Sequence, residues 1–353
     1  MRSRITILLL AVSLAAAACG GDATGSSEPT PTELVLVTHD SFAVSDGVLE
    51  SFTAATGIEV TVLQAGDAGT MVSQAILTKD DPIADVMYGI DNTFLSRALD
   101  EGLFLPYVSP GLDVVPDDLE LDPEHRVTPI DFGDVCVNYD KAAFATSGPP
   151  VPSTLRDLTD PRYRGMLAVE DPATSSPGLA FLLATIGTFP EGGDYDWLDY
   201  WSDLAANDVL VTSGWEEAYY SSFSGGSGEG DRPLVVSYAS SPPVEVYYAD
   251  PPVDEAPTGV LTDGCFRQIE FAGVLAGTAH PEAAERLVDF LLSDTFQEDM
   301  PLTMFVFPAS TEATLPPVFA DYAVVPDHTA TVDPAAIDAH REEWIEQWTD
   351  AVR

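Results

Sequence analysis

The chain has 353 residues and is 45% hydrophobic, enough for two lobes with a core each and too apolar for a disordered acidic tail. Against 58 Asp and Glu stand 14 Lys and Arg, a formal net charge of −44, which excludes nonspecific binding to nucleic acid because phosphates would be repelled. The acidity points to a solvated acidic surface, as in a salty habitat that screens self-repulsion, and more weakly to a cationic ligand.

Residues 1–18 read as a signal peptide. Arg2 and Arg4 supply a positive start, and residues 5–18 form an apolar run too short for an ordinary membrane-spanning helix. The run ends in Ala15-Ala16-Ala17-Ala18-Cys19-Gly20. Small residues before a cysteine resemble a bacterial lipoprotein signal, which implies cleavage before Cys19 and lipid attachment to its thiol. A secreted protein with a stray cysteine is the plainer alternative. Residues 19–33 are small, polar and Pro-containing, and read as a flexible tether. Cys136 and Cys265 remain. In an oxidising extracytoplasmic space two such cysteines favour a disulfide, with two isolated buried thiols as the alternative. Neither has the spacing of a zinc site.

Residues 34–37 (LVLV) form a short apolar run bounded by polar residues, the pattern of a strand buried on both faces. The run stops at Thr38-His39-Asp40-Ser41. Ligands of open α/β sheets sit beyond the carboxyl ends of the strands, so residues 38–41 are read as the first wall of a cleft. An ordinary polar loop is the bland alternative. Residues 48–56 have helical spacing and stop at Gly57. Residues 58–63 alternate as a second strand. A Gly-rich turn over 64–70 leads into a helix over 71–77. There the backbone can approach a ligand, and Asp67 can face a cation or simply sit well near a helix N-terminus. Residues 84–89 are a third strand, with Asp91 or Asn92 capping the next helix. The order strand, helix, strand, helix, strand predicts a doubly wound α/β fold.

Residues 105–130 read as surface loops, and 128–140 as a long strand crossing between lobes. A helix near 154–158 and a strand over 164–169 follow. Past that strand, Ser176 is the predicted N-cap and Pro177 the first residue of an apolar helix through Ile186. Its N-terminus with the Ser175 and Ser176 hydroxyls is a generic place for an anion or a polar ring edge, or ordinary capping. Trp197 and Trp201 are predicted core. Trp215 follows a strand (209–211) and Gly214, and opens a helix from which its indole can lie flat over a planar ligand. After a loop at 224–231, the strand at 234–236 ends in Tyr238-Ala239-Ser240-Ser241. Residues 265–271 read as a return strand. If it pairs with the strand of Cys136, both cysteines lie at the lobe junction. A helix over 282–292, an extended aromatic stretch at 304–308 and a C-terminal helix from Pro334 with Trp344 and Trp348 complete the chain.

The stretches THDSF (38–42), ADVMYGIDN (84–92), DFGDVCVNYDK (131–141), DPATSSPGL (171–179), SGWEEAYYSSF (213–223), VVSYASSP (235–242) and REEWIEQWTDAV (341–352) resemble the thiamine-binding proteins of ABC importers. The resemblance implies an α/β, two-lobed periplasmic binding protein, a Venus flytrap with hinge strands and a ligand cleft between the lobes. Lobe 1 would take residues 34–133 and lobe 2 residues 134–265, with 266–353 returning to lobe 1 and supplying the C-terminal helices. It implies a carrier and not an enzyme, with no cofactor and no metal. The ligand would be thiamine or a thiamine phosphate and the partner an ABC permease. The protein would be a monomer held to the membrane by its lipid anchor. Carried over by position, the site falls on His39, Asp40, Asp67, Ala68, Ser175, Ser176, Trp215, Tyr238, Ala239, Ser240, Ser241 and Phe305. His39 stands where the family often has tyrosine, and Phe305 where it often has tryptophan. Trp215 and Tyr238 would stack on the ligand rings, and Asp67 would complement the cation or the amino group. Ser175, Ser176 and the helix N-terminus would take the hydroxyethyl arm or its phosphate.

Three rival readings stand beside this one. A ferric carrier is suggested by Tyr219-Tyr220 and Tyr247-Tyr248, and a polyamine carrier by the acidity. A secreted hydrolase has no Gly-x-Ser-x-Gly or HExxH motif to rest on, and the five histidines are scattered.

Overall fold

The computed structural model describes residues 33–145 and 148–352. The predicted signal peptide, Cys19 and the tether up to residue 32 lie outside the described residues. The LVLV run lies within β1 (Glu33–Thr38), with Leu34 and Leu36 fully buried, as a strand covered on both faces requires. It pairs in parallel with β2 (Glu59–Gln64) and β3 (Val86–Asp91). The alternation read in β2 does not bury a face: β2 is the outer strand of the sheet and most of it meets solvent. Between these strands run α1 (Val48–Thr56), stopped by Gly57 at φ 74°, and α2 (Ala68–Leu77). α2 begins three residues before the predicted start because the Asp67 carboxylate accepts the Ala68 N–H and coils the chain at once. α3 (Leu95–Asp100) follows β3. Asp91 accepts from the N–H groups of Thr93 and Phe94 ahead of it.

Two long strands carry the sheet across the molecule. β4 (Thr128–Asp140) has 13 residues and β8 (Thr258–Val274) has 17, and they pair antiparallel along most of their length. β8 also pairs with β3, and β4 with β7 (Leu234–Tyr238). β7 in turn adjoins β5 (Leu167–Glu170), and β5 adjoins β6 (Leu210–Thr212), both in parallel. Among the described residues the order is β2-β1-β3-β8-β4-β7-β5-β6, with β9 (Phe307–Pro308) against β4. Each half is thus a small parallel α/β sheet, and β8 and β4 are the antiparallel strands between them. Cys136 and Cys265 are joined by a disulfide, with Cα atoms 4.5 Å apart. It falls where the β4–β8 register slips between Val135 and Val137.

In the second half the predicted helix near 154–158 is a 3-10 helix, Leu155–Thr159. α4 (Ser176–Thr188) is buried continuously from Ser176 to Ile186, the pattern of a helix with no solvent face. Its N-cap is Ser175 and not Ser176: the Ser175 hydroxyl accepts the Gly178 N–H, and Pro177 takes the second helical position. α5 (Trp197–Ala206) buries Trp197 and Trp201. Trp201 donates to the Thr185 hydroxyl at 2.9 Å and meets Phe181 and Trp348 edge-on. α6 (Pro242–Tyr247), α7 (Pro281–Leu291), α8 (Asp294–Gln297), α9 (Met300–Thr303) and α10 (Pro317–Tyr322) precede the long α11 (Pro334–Val352). α11 does not stay with the first half. Trp348 packs on α5, while Arg341 reaches Ser96 of α3. No described helix is long and apolar enough to cross a membrane.

Candidate functional site

The strand ends of the two halves enclose a cavity of about 830 Å³. His39, Asp40, Asp67, Ala68, Ser176, Trp215, Tyr238, Ser241 and Phe305 all line it. Ser175, Ala239 and Ser240 do not. Ser175 caps α4 from behind the wall, and its hydroxyl also reaches the Asp67 carboxylate. Ala239 packs on the disulfide sulfurs, and Ser240 is buried behind the wall.

Asp67 joins the halves. It caps α2 in the first half, yet its Oδ1 accepts the Ser176 N–H at 3.1 Å and its Oδ2 the Trp215 N–H at 3.2 Å in the second. Burial pushes its carboxyl up, and the Ser176 N–H, the Ser175 hydroxyl and the N–H groups of Trp215 and Ala68 pull it back. Gly69 is needed beside it, because a Cβ there would sit 2.9 Å from the Thr174 backbone. The glycine read as room for a ligand is therefore room for the opposite wall. Ser41 adds a second bridge, donating to Glu216 Oε1 at 3.0 Å.

Trp215 stands at the start of a turn that runs into the π-helical segment Glu217–Ser222. Its Nε1 donates to the Ser237 hydroxyl at 2.9 Å, and one face of the indole stacks on Tyr219 at 5.0 Å. The cavity meets the rest of the indole. Tyr238 is steered by its hydroxyl, which donates to Gln268 Oε1 at 3.0 Å, and by Gly133, where a Cβ would strike its ring. Phe305 holds a left-handed backbone, φ 55°, uncommon for a side chain of its bulk. Its ring meets Tyr248 edge-on.

The floor sets a histidine against carboxyl groups. His39 Nε2 lies 3.5 Å from Glu270 Oε2. Burial works against a charge on the imidazole, but Glu270 outweighs it with help from Asp67 and Asp131, and the group is raised to about 9. Asp131 is directly opposite Glu270 in the β4–β8 register and accepts the Tyr88 hydroxyl at 2.5 Å. Burial, then the Glu270 charge, pushes the Asp131 carboxyl well up. His39 fits here because Gly89, at φ +92°, leaves space where a Cβ would collide with its ring.

Several lining residues were not singled out by the sequence reading: Glu216, Glu245 and Glu270 among them. Glu216 follows Trp215 directly and Glu270 lies in the return strand, so both were within reach of a strand-end argument. Glu245 was not, since it enters from α6, where it accepts from the Tyr219 and Ser227 hydroxyls at 2.7 and 3.0 Å. Of the two tyrosine pairs suspected of holding iron, Tyr219-Tyr220 divides, and Tyr248 of the other lines the cavity. Tyr219 is fully buried with its hydroxyl bound to Glu245, while Tyr220 lines the cavity. Among the described residues no group of three His, Cys, Asp or Glu could hold a metal.

Two α/β halves on shared antiparallel strands, closed around a cavity lined by both, define a solute-binding protein of the two-lobed periplasmic type and not an enzyme. The chain belongs to the bacterial extracellular solute-binding protein family, whose model matches residues 81–326. It is 30% identical to the thiamine-binding periplasmic protein of Escherichia coli K12 over 324 residues, 90% of this chain and 93% of the relative. The thiamine-binding periplasmic protein of Brucella abortus is 28% identical over 325 residues, with coverage of 90% and 92%. Among solved structures it is similar to a periplasmic thiamin binding protein, with a TM-score of 0.77 and 28% identity, covering 92% of this chain and 97% of that one. Iron-bound HitA from Pseudomonas aeruginosa shares the fold at a TM-score of 0.70 and 21% identity, covering 91% and 99%.

Proposed function

We propose that this chain is the thiamine-binding component of an ABC importer. It is extracytoplasmic, monomeric and lipid-anchored through Cys19, and it hands its ligand to a membrane permease. The observation that carries the reading is the pairing of flat rings with carboxylates in one cavity. Trp215 and Tyr238 stand with Asp40, Glu216 and Glu270 around a space shaped for a small molecule. A planar cation gains on the order of 0.5–2 kcal/mol over an aromatic face, and thiamine joins a planar aminopyrimidine to a cationic thiazolium. The thiamine-binding relatives at 28–30% identity support it.

The lobes of this reading are residues 34–133 and 134–265, with 266–353 returning and β4 and β8 as the hinge. Closure is a hinge motion held by contacts that exist only when both lobes meet, as Asp67 with Ser176 and Trp215 would supply. Tyr219 is buried with its hydroxyl donated to Glu245, which weighs against it as a ferric ligand. Calorimetric titration with thiamine tests the ligand: submicromolar binding is expected, and a folded, ligand-free protein that ignores thiamine but binds spermidine would refute it. Cys19→Ser should release the protein from the membrane fraction, and continued membrane attachment would rule out the anchor.

A further inference from the structure

We infer that Glu245 is the counter-ion of the ligand's fixed positive charge, the group that makes the cavity choose a cation over a neutral molecule of the same shape. The inference rests on the thiamine reading and names the residue that reads the thiazolium. A carboxylate taken out of water is costly unless a positive partner meets it. The other carboxylates that line the cavity are satisfied in the ligand-free protein. Asp40 and Asp250 are exposed to solvent. Glu216 is only half-buried and accepts the Ser41 hydroxyl at 3.0 Å. Asp67 takes the N–H groups of Ala68, Ser176 and Trp215. Glu270 stands 3.5 Å from His39. Glu245 is different. It is 7% exposed, and the side chains it meets are neutral: the Tyr219 and Ser227 hydroxyls, at 2.7 and 3.0 Å, both donate to its Oε1. Among the described residues no Lys, Arg or His offsets its charge.

The chain is shaped around this carboxylate. Gly226 turns beside it at φ +57°, and a Cβ there would collide with the carboxyl group. Two hydroxyls fix one oxygen, so the group is set in place before a ligand arrives. Flat rings stand with it. Val244, Glu245 and Tyr248 are three and four residues apart along α6 and its cap, and all line the cavity. The Tyr248 ring meets Phe305 edge-on at 6.0 Å, and the Tyr220 ring meets Trp215 edge-on at 5.4 Å. The Glu245 charge reaches Tyr220, whose hydroxyl is pushed up to about 12 by burial, then by Glu216 and Glu245. A buried carboxylate among aromatic rings suits an organic cation whose charge is spread over a flat ring. It does not suit a metal ion, since among the described residues no group of three His, Cys, Asp or Glu could hold one.

The test is calorimetric titration of the full chain in detergent, stripped of retained ligand. The ligands are thiamine and 3-deazathiamine, in which a neutral thiophene replaces the thiazolium. The parent should bind thiamine at least about tenfold more tightly than the neutral isostere. A parent that binds the two alike overturns the inference without any variant. Glu245→Gln keeps the shape and an oxygen for the two hydroxyls but removes the charge. It should weaken thiamine by at least about tenfold and leave 3-deazathiamine within about threefold, so that the gap closes. A loss shared equally by both ligands, or no loss for thiamine, overturns the inference. Tyr219→Phe removes one of the hydroxyls and keeps the charge, so the gap should persist. A gap that closes there as well would put the effect on the hydrogen bonds and not on the charge, which also overturns the inference. Failure of both ligands to bind the folded parent overturns the thiamine reading itself and is a different result.

Discussion

Trp215 has one indole face against Tyr219 and its Nε1 on Ser237, so it is fixed before any ligand arrives. A prepositioned ring loses little entropy on binding, and its removal costs the stacking and cation–π terms together, on the order of 1.5–3 kcal/mol. Trp215→Ala should therefore weaken thiamine binding by about 10- to 100-fold in a calorimetric titration while Trp215→Phe keeps much of the affinity. At His39 the consequence is for stability. Its folded value is raised to about 9 from the ordinary 6.5. Between those two values the folded state holds a proton that the unfolded state has lost, so stability is fully present below pH 6.5 and falls as pH rises through 9. Glu170 acts in the same sense. Burial, with a smaller push from the Asp67 charge, lifts it well above 4.5, so its folded form is favoured in acid and penalised as pH rises. Thermal melts of His39→Gln should show a flatter decline between pH 6.5 and 9 than the parent. An unchanged slope would mean the Glu270 pair does not hold that proton.

The disulfide is the element whose removal has the most predictable cost. It closes a separation of 129 residues, and for loops of that length the chain-entropy model gives about 5 kcal/mol, with measured losses for native bridges of roughly 2–5 kcal/mol. Cys136→Ser with Cys265→Ser should lower the thermal midpoint clearly, and reduction of the parent should do the same. A double variant that melts with the parent would show that the β4–β8 ladder alone holds the crossing. The elements themselves were largely legible from the sequence. α1 and β4 were read to the residue because Gly57 and the flanking Asp and Thr residues mark their ends locally. β8 was read at less than half its length, because its first residues carry Gly259 and Gly264 and owe their strand geometry to pairing with β4. The start of α2 was missed for a different reason: its cap is local, Asp67 on the Ala68 N–H, but Gly66 and Gly69 around it read as a turn. The strand-end residues of the cavity announced themselves through neighbouring apolar runs. Glu245 had no such marker.

At the scale of the whole molecule, two features act on closure in opposite directions. Asp67 and Ser41 tie the halves across the cavity, while a formal charge of −44 repels itself through all of it. Self-repulsion is long-ranged and is screened as the Debye length falls from about 10 Å at 0.1 M salt to about 3 Å at 1 M. The buried bridges of Asp67 are short-ranged and feel salt far less. Raising sodium chloride from 0.1 to 1 M should therefore raise the melting temperature and contract the ligand-free protein in solution scattering. Thiamine affinity should respond less, because screening weakens attraction of the cation to the acidic surface while easing closure around it. A chloride series with potassium in place of sodium should behave alike, since the effect belongs to ionic strength. Stability that is flat across the series would mean that the acidic surface is spread too widely for its repulsion to matter, and that the cross-cavity bonds alone set the balance between open and closed forms.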